Sequence, residues 1–342
     1  MNYWQIATGS DGRDYSKEFL RFGMAFVGNG GKEGARMKNE VQLGDIILVR
    51  HGLSKVVAVG KVVKREEKCK GNDDKDWLKD FDGWDLSAYC YVDWHIPQNP
   101  DDKVDGLSPG TIKKVDQKNL RDFMEDIIQK YPSVAKFEPE PAQTKEVNDE
   151  EILDFLICEG LRPGTAEELT VTLNRIRLLA NYYRKHQEWE DVREHETRTF
   201  LIVPLLLALG WAEQQIKVEL SIDKRRRVDL ACFSSPYCRK NEQCVLLIES
   251  KGFSQGLTYA PDQASEYAKN FPNCKVVLVS NGYCYKAFGL KKGEQFPSNP
   301  SAYLNLLCPR DRYPIDPDHV KGCCETLKML SLIHISEPTR PY

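Results

Sequence analysis

Apolar and polar positions fall into two regimes along the chain. Up to about residue 135, short β-branched and aromatic runs alternate with Gly-rich and polar turns. The runs cover 3–7 (Tyr3-Trp4-Gln5-Ile6-Ala7), 24–28, 45–50, 56–63 and 88–94. Each predicts a strand, and one stretch at 15–22 predicts a helix. Short strands at this spacing predict a small β-barrel with a helix or two on its rim, a binding-module architecture. Beyond it, Phe137-Glu138-Pro139-Glu140-Pro141 reads as an acidic, proline-bearing linker. The period then changes to that of helices. Residues 149–159 predict a short amphipathic helix, and Thr165-Ala166-Glu167-Glu168 reads as a capping box for a second helix running to about residue 185. Leu169, Leu173, Ile176, Leu179 and Ala180 form its apolar face, as in a helical spacer.

After the spacer the pattern reads helix (196–209), strand (228–233), strand (245–248), helix (262–270), strand (275–280). That order predicts a mixed sheet flanked by helices. The expected fold is therefore α+β and multidomain: a small-barrel unit at 1–135, a linker and helical spacer at 136–190, and a mixed-sheet unit at 191–329. Residues 330–342 read as the in-frame translation of a transposase sequencing adapter, to be set outside the fold, with the natural sequence continuing beyond Met329.

The chemistry concentrates at Glu249-Ser250-Lys251. The apolar run Cys244-Val245-Leu246-Leu247-Ile248 ends there with an acid and a lysine two residues apart, on one face of a strand. Charged residues are rarely delivered by a buried run without a partner or a metal. Asp229 stands among apolar neighbours in the strand Arg227-Val228-Asp229-Leu230-Ala231, and Glu196 lies on the polar side of the helix ending Leu209-Gly210-Trp211. Three carboxylates and a lysine suit a hard cation such as Mg²⁺, which takes oxygen ligands and keeps waters for a phosphate to displace. Taken alone, Glu249 with Lys251 also reads as an exposed ion pair on an edge strand.

The order Glu196, Asp229, Glu249-x-Lys251 resembles the PD-(D/E)XK nuclease superfamily, and the flanking text resembles the nuclease domain at the N terminus of type I restriction subunits. The likeness spans roughly 190–290 and includes Gln263-x-x-x-Tyr267 and Val279-Ser280-Asn281-Gly282. The proline that precedes the first acid of the family signature is replaced by Val228. The resemblance implies a restriction-endonuclease-like fold in which Asp229 and Glu249 bind Mg²⁺ and Lys251 positions or activates the attacking water. It also implies that Glu196 completes the metal site and that Gln263 and Tyr267 form an additional motif. The basic turn Lys224-Arg225-Arg226-Arg227, directly before Asp229, would contact the phosphate backbone, or would be a solvated hairpin tip.

The first unit resembles the EVE and YTH group of PUA-like domains. The likeness lies in the opening Tyr3-Trp4 strand, Phe26-Val27-Gly28, Leu43-Gly44-Asp45, and Ala58-Val59-Gly60-Lys61-Val62. The resemblance implies a reader that flips a modified base into an aromatic-walled pocket. By position its contributors would be Trp4, Ser10, Phe26, Asn29 and Trp84, with Gly28 allowing close backbone approach. For Trp4 and Phe26, core packing is the competing reading.

Composition narrows the picture. The 342 residues carry a formal charge of −3, so nucleic-acid contact has to come from local patches. No apolar run approaches the ~20 residues that cross a bilayer, and no leader opens the chain, which predicts a cytoplasmic protein without a membrane partner. Eleven cysteines without a secretory signal predict free thiols, and Cys232, Cys238 and Cys244 lack the paired spacing of a zinc site. No P-loop pattern occurs, so no nucleotide cofactor is expected. The expected activity is Mg²⁺-dependent cleavage of duplex DNA carrying a modified base, a methylated or hydroxymethylated cytosine. A homodimer is expected because one centre cuts one strand at a time. The alternatives are an RNA-directed nuclease, a catalytically inactive reader of modified nucleic acid, and a fragment of a longer machine whose motor lies elsewhere.

Overall fold

The computed structural model describes residues 1–98, 104–186, 191–238 and 240–332. The chain divides into two compact units, Met1–Pro141 and Ala142–Tyr342, and is mixed α+β with one sheet in each.

In the first unit the strands are β1 (Tyr3–Ala7), β2 (Met24–Val27), β3 (Ile46–His51), β4 (Lys55–Val62), β5 (Lys70–Asn72), β6 (Ala88–His95) and β7 (Ile112–Lys114). The sheet order is β2-β6-β4-β3-β1-β7, with β5 also on β6. β1 and β3 are parallel and the other pairs antiparallel. This sheet curls into a half-barrel whose ends, β2 and β7, do not pair, so the predicted barrel is open among the described residues. Helices α1 (Ser16–Phe22), α2 (Gly31–Asn39) and α3 (Lys118–Lys130) accompany it. α3 places Leu120, Met124 and Ile127 on one face, at the spacing of successive helical turns, against Tyr3, Ile46, Leu48, Val56 and Val59. Buried Asp45 ties the start of the unit together: it accepts from Asn2 N at 2.7 Å, Gln42 N at 3.0 Å and Trp4 Nε1 at 2.9 Å. A buried carboxylate needs such donors.

The second unit contains β8 (Ile216–Ser221), β9 (Arg227–Phe233), β10 (Cys244–Ser250), β11 (Val276–Ser280), β12 (Cys284–Gly289) and β13 (Ala302–Asn305), in the order β13-β12-β11-β10-β9-β8. Among the described residues of this sheet only β10 and β11 run parallel, the crossover being made by helix α8 (Ala260–Ala268). Every residue of β10 is buried, as expected of a central strand covered on both faces. The remaining helices are α4 (Asp149–Cys158), α5 (Pro163–Lys185), α6 (Glu194–Thr197), α7 (Val203–Ala208) and α9 (Cys323–Leu330). α4 and α5 belong to this unit: Arg177 of α5 donates to Asp149 of α4 at 2.6 Å and to Leu306 O at 2.8 Å.

One predicted helix start shifts. α4 is capped by a reciprocal pair, Asn148 with Glu151, whereas α5 begins at Pro163 rather than at the Thr165 capping box. Proline suits the first helical position because its missing N–H is one that the helix leaves unpaired there. Leu330 ends α9, with its carbonyl accepting from Trp211 Nε1 at 2.7 Å, and Leu330 and Ser331 are buried. The rest of the segment read as adapter-derived, 333–342, lies outside the described residues. No described helix is long and apolar enough to cross a membrane.

Gly60 is closely packed in the first sheet. A Cβ there would stand 2.5 Å from Asp93 O and Val92 Cγ1 and 2.6 Å from Trp94 Cε3, all on the neighbouring strand β6. Gly60→Ala should therefore force β4 and β6 apart and lower the unfolding free energy by about 1–3 kcal/mol. Urea unfolding checks this; an unchanged midpoint contradicts the packing described.

Candidate active site

The site grows from the paired ends of β9 and β10. Their antiparallel ladder runs to Ile248 opposite Leu230, and Asp229 comes one residue further. There the carboxylate of Asp229 accepts from Ser250 N at 2.7 Å and Ser250 Oγ at 2.8 Å. Glu249, 3% exposed, and Lys251 project to one side, and Lys251 Nζ donates to Glu249 Oε1 at 2.7 Å. The parallel neighbour β11 fixes this end from the other side, with Glu249 in register with Val279 and Lys251 N donating to Ser280 O at 2.8 Å.

Helix α8 supplies the next layer. Gln263 and Tyr267 are four residues apart and so share a face. Gln263 Nε2 donates to Tyr267 Oη at 2.9 Å, and Gln263 Oε1 accepts from Lys251 Nζ at 3.4 Å. Gln263 thus receives from the lysine and gives to the tyrosine, which fixes its amide orientation.

The helical acid at the site differs from the one the sequence suggested. Glu194 Oε1 lies 3.9 Å from Lys251 Nζ, whereas the Glu196 carboxylate turns back and accepts from Arg193 N at 2.9 Å as the cap of α6. The correction has a local cause: three residues into a helix, a glutamate can reach the exposed N–H groups of its own first turn. Helix geometry also explains a residue that sequence reasoning missed. Pro204 cannot donate to Phe200 O, and the helix widens to a π turn over Arg198–Ile202, closed by Val203 N to Arg198 O. Arg198, at the head of that turn, is buried and donates through Nη1 to Asp229 Oδ1 at 2.8 Å and through Nη2 to Glu219 Oε1 at 3.2 Å. The separation of Glu194 and Arg198, one turn of helix, was the available signal.

Burial, then the charge of Asp229, pushes the Glu249 carboxyl up to about 7, and Lys251 offsets this only in part. For Lys251 burial is the largest influence and works downward, but the hydrogen bond and charge of Glu249 outweigh it and hold the ammonium above its ordinary range. Glu249 Oε2 is buried and has no hydrogen-bond partner among the described residues. An orphaned, buried carboxylate oxygen beside a second carboxylate fits a hard divalent cation, which needs only one or two protein carboxylates when its other ligands are waters. Among the described residues no group of three or more His, Cys, Asp or Glu side chains converges on a single point. The ion would thus rest on Asp229 and Glu249, with Glu194 alongside.

The other candidate residues separate. The basic turn joins β8 to β9 and is exposed: Arg226 pairs with Asp223 at 2.7 Å and Arg227 with Glu219 at 3.6 Å. Lys224 and Arg225 make no side-chain hydrogen bond or ion pair with a described residue. In the first unit, Trp4 and Phe26 are corrected from pocket walls to core. They are 1% and 2% exposed, Trp4 bonded to Asp45 and Phe26 packed against Phe19, Tyr15, Trp77 and Phe81, so neither ring offers a face for stacking. The Asn29 amide is committed to Asp73 at 2.7 Å and Lys38 at 2.9 Å. A Cβ on Gly28 would meet only Asp85 O at 3.9 Å, so no neighbouring protein atom demands glycine there. Ser10 is exposed in a turn that its carbonyl closes by accepting from Arg13 N at 3.1 Å. Trp84 is half-buried, with Arg13 over its ring at 3.8 Å and Nε1 buried without a partner among the described residues. The eleven cysteines are free, and Cys232 and Cys244 are buried while Cys238 is exposed.

Glu249 gives a signed pH dependence in metal-free buffer. Its unfolded carboxyl ionises near the ordinary glutamate value of 4.5 and the folded one near 7, so the native state holds a proton across that window. The associated stability is present below the lower value and lost as pH rises through the upper one. Between about pH 5 and about pH 8 the wild type should lose, relative to Glu249→Gln, on the order of 3 kcal/mol of unfolding free energy. Parallel pH slopes in chelator-treated urea unfolding contradict the burial argument.

Residues 193–299, less than a third of the chain, match the family model for the type I restriction enzyme R protein N terminus. No curated protein and no solved structure matches the chain. The matched segment holds Glu194, Arg198, Asp229, Glu249, Lys251, Gln263 and Tyr267, and it ties this part of the chain to restriction enzymes.

Proposed function

We propose that the chain is a restriction-type endonuclease of the PD-(D/E)XK kind, in which the second unit hydrolyses phosphodiesters and the first reads a modified base in duplex DNA. The observation that carries the nuclease reading is the buried, half-satisfied Glu249 carboxylate paired with Lys251 beside Asp229, within the segment similar to the R-protein N terminus. Mg²⁺ bound at Asp229 and Glu249 would neutralise phosphate charge and lower the pKa of a bound water.

The protein's own groups account for the remaining steps. Lys251, held by Glu249 and Gln263, keeps a proton donor at a fixed point of the site, where it orients the attacking water and stabilises charge developing on the phosphate. Tyr267 holds Gln263, so the lysine cannot swing away without breaking two hydrogen bonds. Glu194 adds negative charge 3.9 Å from Lys251 Nζ. Lys224 and Arg225, exposed at the tip of the β8–β9 hairpin, offer phosphate contacts that position a duplex without reading its sequence.

For the reader, support comes from the EVE-like sequence pattern on a curled sheet and from Trp84, whose ring is already covered by a cation and whose indole N–H has no partner among the described residues. A base stacked on Trp84 would replace Arg13 there, and Ser10 lies in the same turn as Arg13. Two copies of the chain would make a double-strand break.

The reading is tested with matched duplexes, unmodified and carrying 5-methyl- or 5-hydroxymethylcytosine, in Mg²⁺ buffer. Cleavage is expected only of a modified duplex, and Asp229→Ala and Lys251→Ala should each reduce it at least about a hundredfold. Cleavage of modified RNA with no DNA cut overturns the DNA assignment, and binding without any cleavage overturns the nuclease.

A further inference from the structure

Both oxygens of Asp229 are engaged by the protein itself, with three of about four acceptor positions taken. One carboxylate oxygen accepts from Ser250 N and Oγ, and the other from Arg198 Nη1 at 2.8 Å. The Arg198 side chain is only 7% exposed, so its charge is screened little by solvent. Its second nitrogen, Nη2, donates to Glu219 at 3.2 Å, and Glu219 is 52% exposed. The guanidinium therefore bridges an inner carboxylate that would hold a cation and an outer carboxylate that faces water.

Glu219 is presented in an unusual way. In the β8–β9 ladder Val218 pairs with Leu230 and Leu220 with Val228, so Glu219 and Asp229 stand opposite one another at a position where the ladder is interrupted on both strands. Its φ is +50°, in the left-handed region that side chains other than glycine rarely adopt. Departures of this kind from regular backbone collect where a side chain must be aimed. Here the aimed group meets Arg198, with Arg227 behind it at 3.6 Å. On the other side, the π turn caused by Pro204 sets the position of Arg198. Two separate irregularities, one in a helix and one in a strand, thus converge on a single guanidinium.

A fixed positive charge within hydrogen-bond distance of a ligand carboxylate opposes a divalent cation at that carboxylate. We propose that Arg198 is a positioning residue that sets the affinity of the site for its divalent cation, competing for Asp229, with Glu219 as the outer acceptor toward which the guanidinium shifts when the cation enters. This rests on the reading of the site as metal-dependent. It assigns opposite signs to two neighbouring substitutions. Removing the guanidinium removes the competitor, whereas removing the outer negative charge leaves Arg198 with Asp229 as its principal acceptor.

The test is Mn²⁺ binding to the full chain by isothermal titration calorimetry at fixed ionic strength, with thermal unfolding of each variant as a folding control. Arg198→Met should tighten Mn²⁺ binding about tenfold, and Glu219→Gln should weaken it about threefold or more. Arg198→Lys, which keeps the charge, should stay near wild type. The double variant should bind like Arg198→Met alone, because Glu219 acts through Arg198. If both single variants weaken binding, or neither shifts it, Arg198 is a structural ion pair and the proposal fails. Should Arg198→Met not fold, Glu219→Gln, on an exposed side chain, decides alone: unchanged binding overturns the proposal. Wild-type protein that binds no Mn²⁺ would instead overturn the metal-site reading itself, a distinct result.

Discussion

A carboxylate buried at the end of an otherwise apolar strand is the constraint on which the second unit turns. Glu249 is carried inward by the all-buried strand β10, and one of its oxygens is left without a donor. Lys251 answers the other oxygen, and the sheet then has to keep the strand end from fraying. It does so from both neighbours: Asp229 of β9 takes the Ser250 N–H, and Ser280 of β11 takes that of Lys251. Isolated buried charge is costly, and the pairings that offset this cost also fix the geometry that chemistry requires.

Much of this site was legible because strand periodicity is simple. An apolar run followed by Glu249-Ser250-Lys251 puts two charges on one face, and Asp229 among apolar neighbours signals the adjacent strand. The helical acid was harder to place. Glu194 and Glu196 lie in one short helix, which of them faces Lys251 depends on rotational phase, and that phase changes again at the π turn imposed by Pro204. Arg198 and Glu219 were not found, since one looks like an ordinary helical arginine and the other is aimed by a left-handed backbone position within a strand that no local pattern announces.

The first unit shows the complementary difficulty. Trp4 and Phe26 sit on strands of a sheet expected to bind a base, but which face a helix covers is a tertiary fact, and both rings are core. Neither α2 nor α3 was among the predicted elements: α2 contains Gly31 and Gly34, which lower helix propensity, and α3 buries Leu120, Met124 and Ile127 at helical spacing. Trp84, placed in a turn, kept part of its surface, and a cation lies over its ring.

The central claim, that Asp229 and Glu249 together hold one divalent cation beside Lys251, is tested most directly by anomalous diffraction from crystals soaked in Mn²⁺. A single strong anomalous peak is expected within ligand distance of both carboxylates, about 2.0–2.4 Å from their oxygens. A soaked crystal with no peak there, and Lys251 still closed on Glu249, contradicts it.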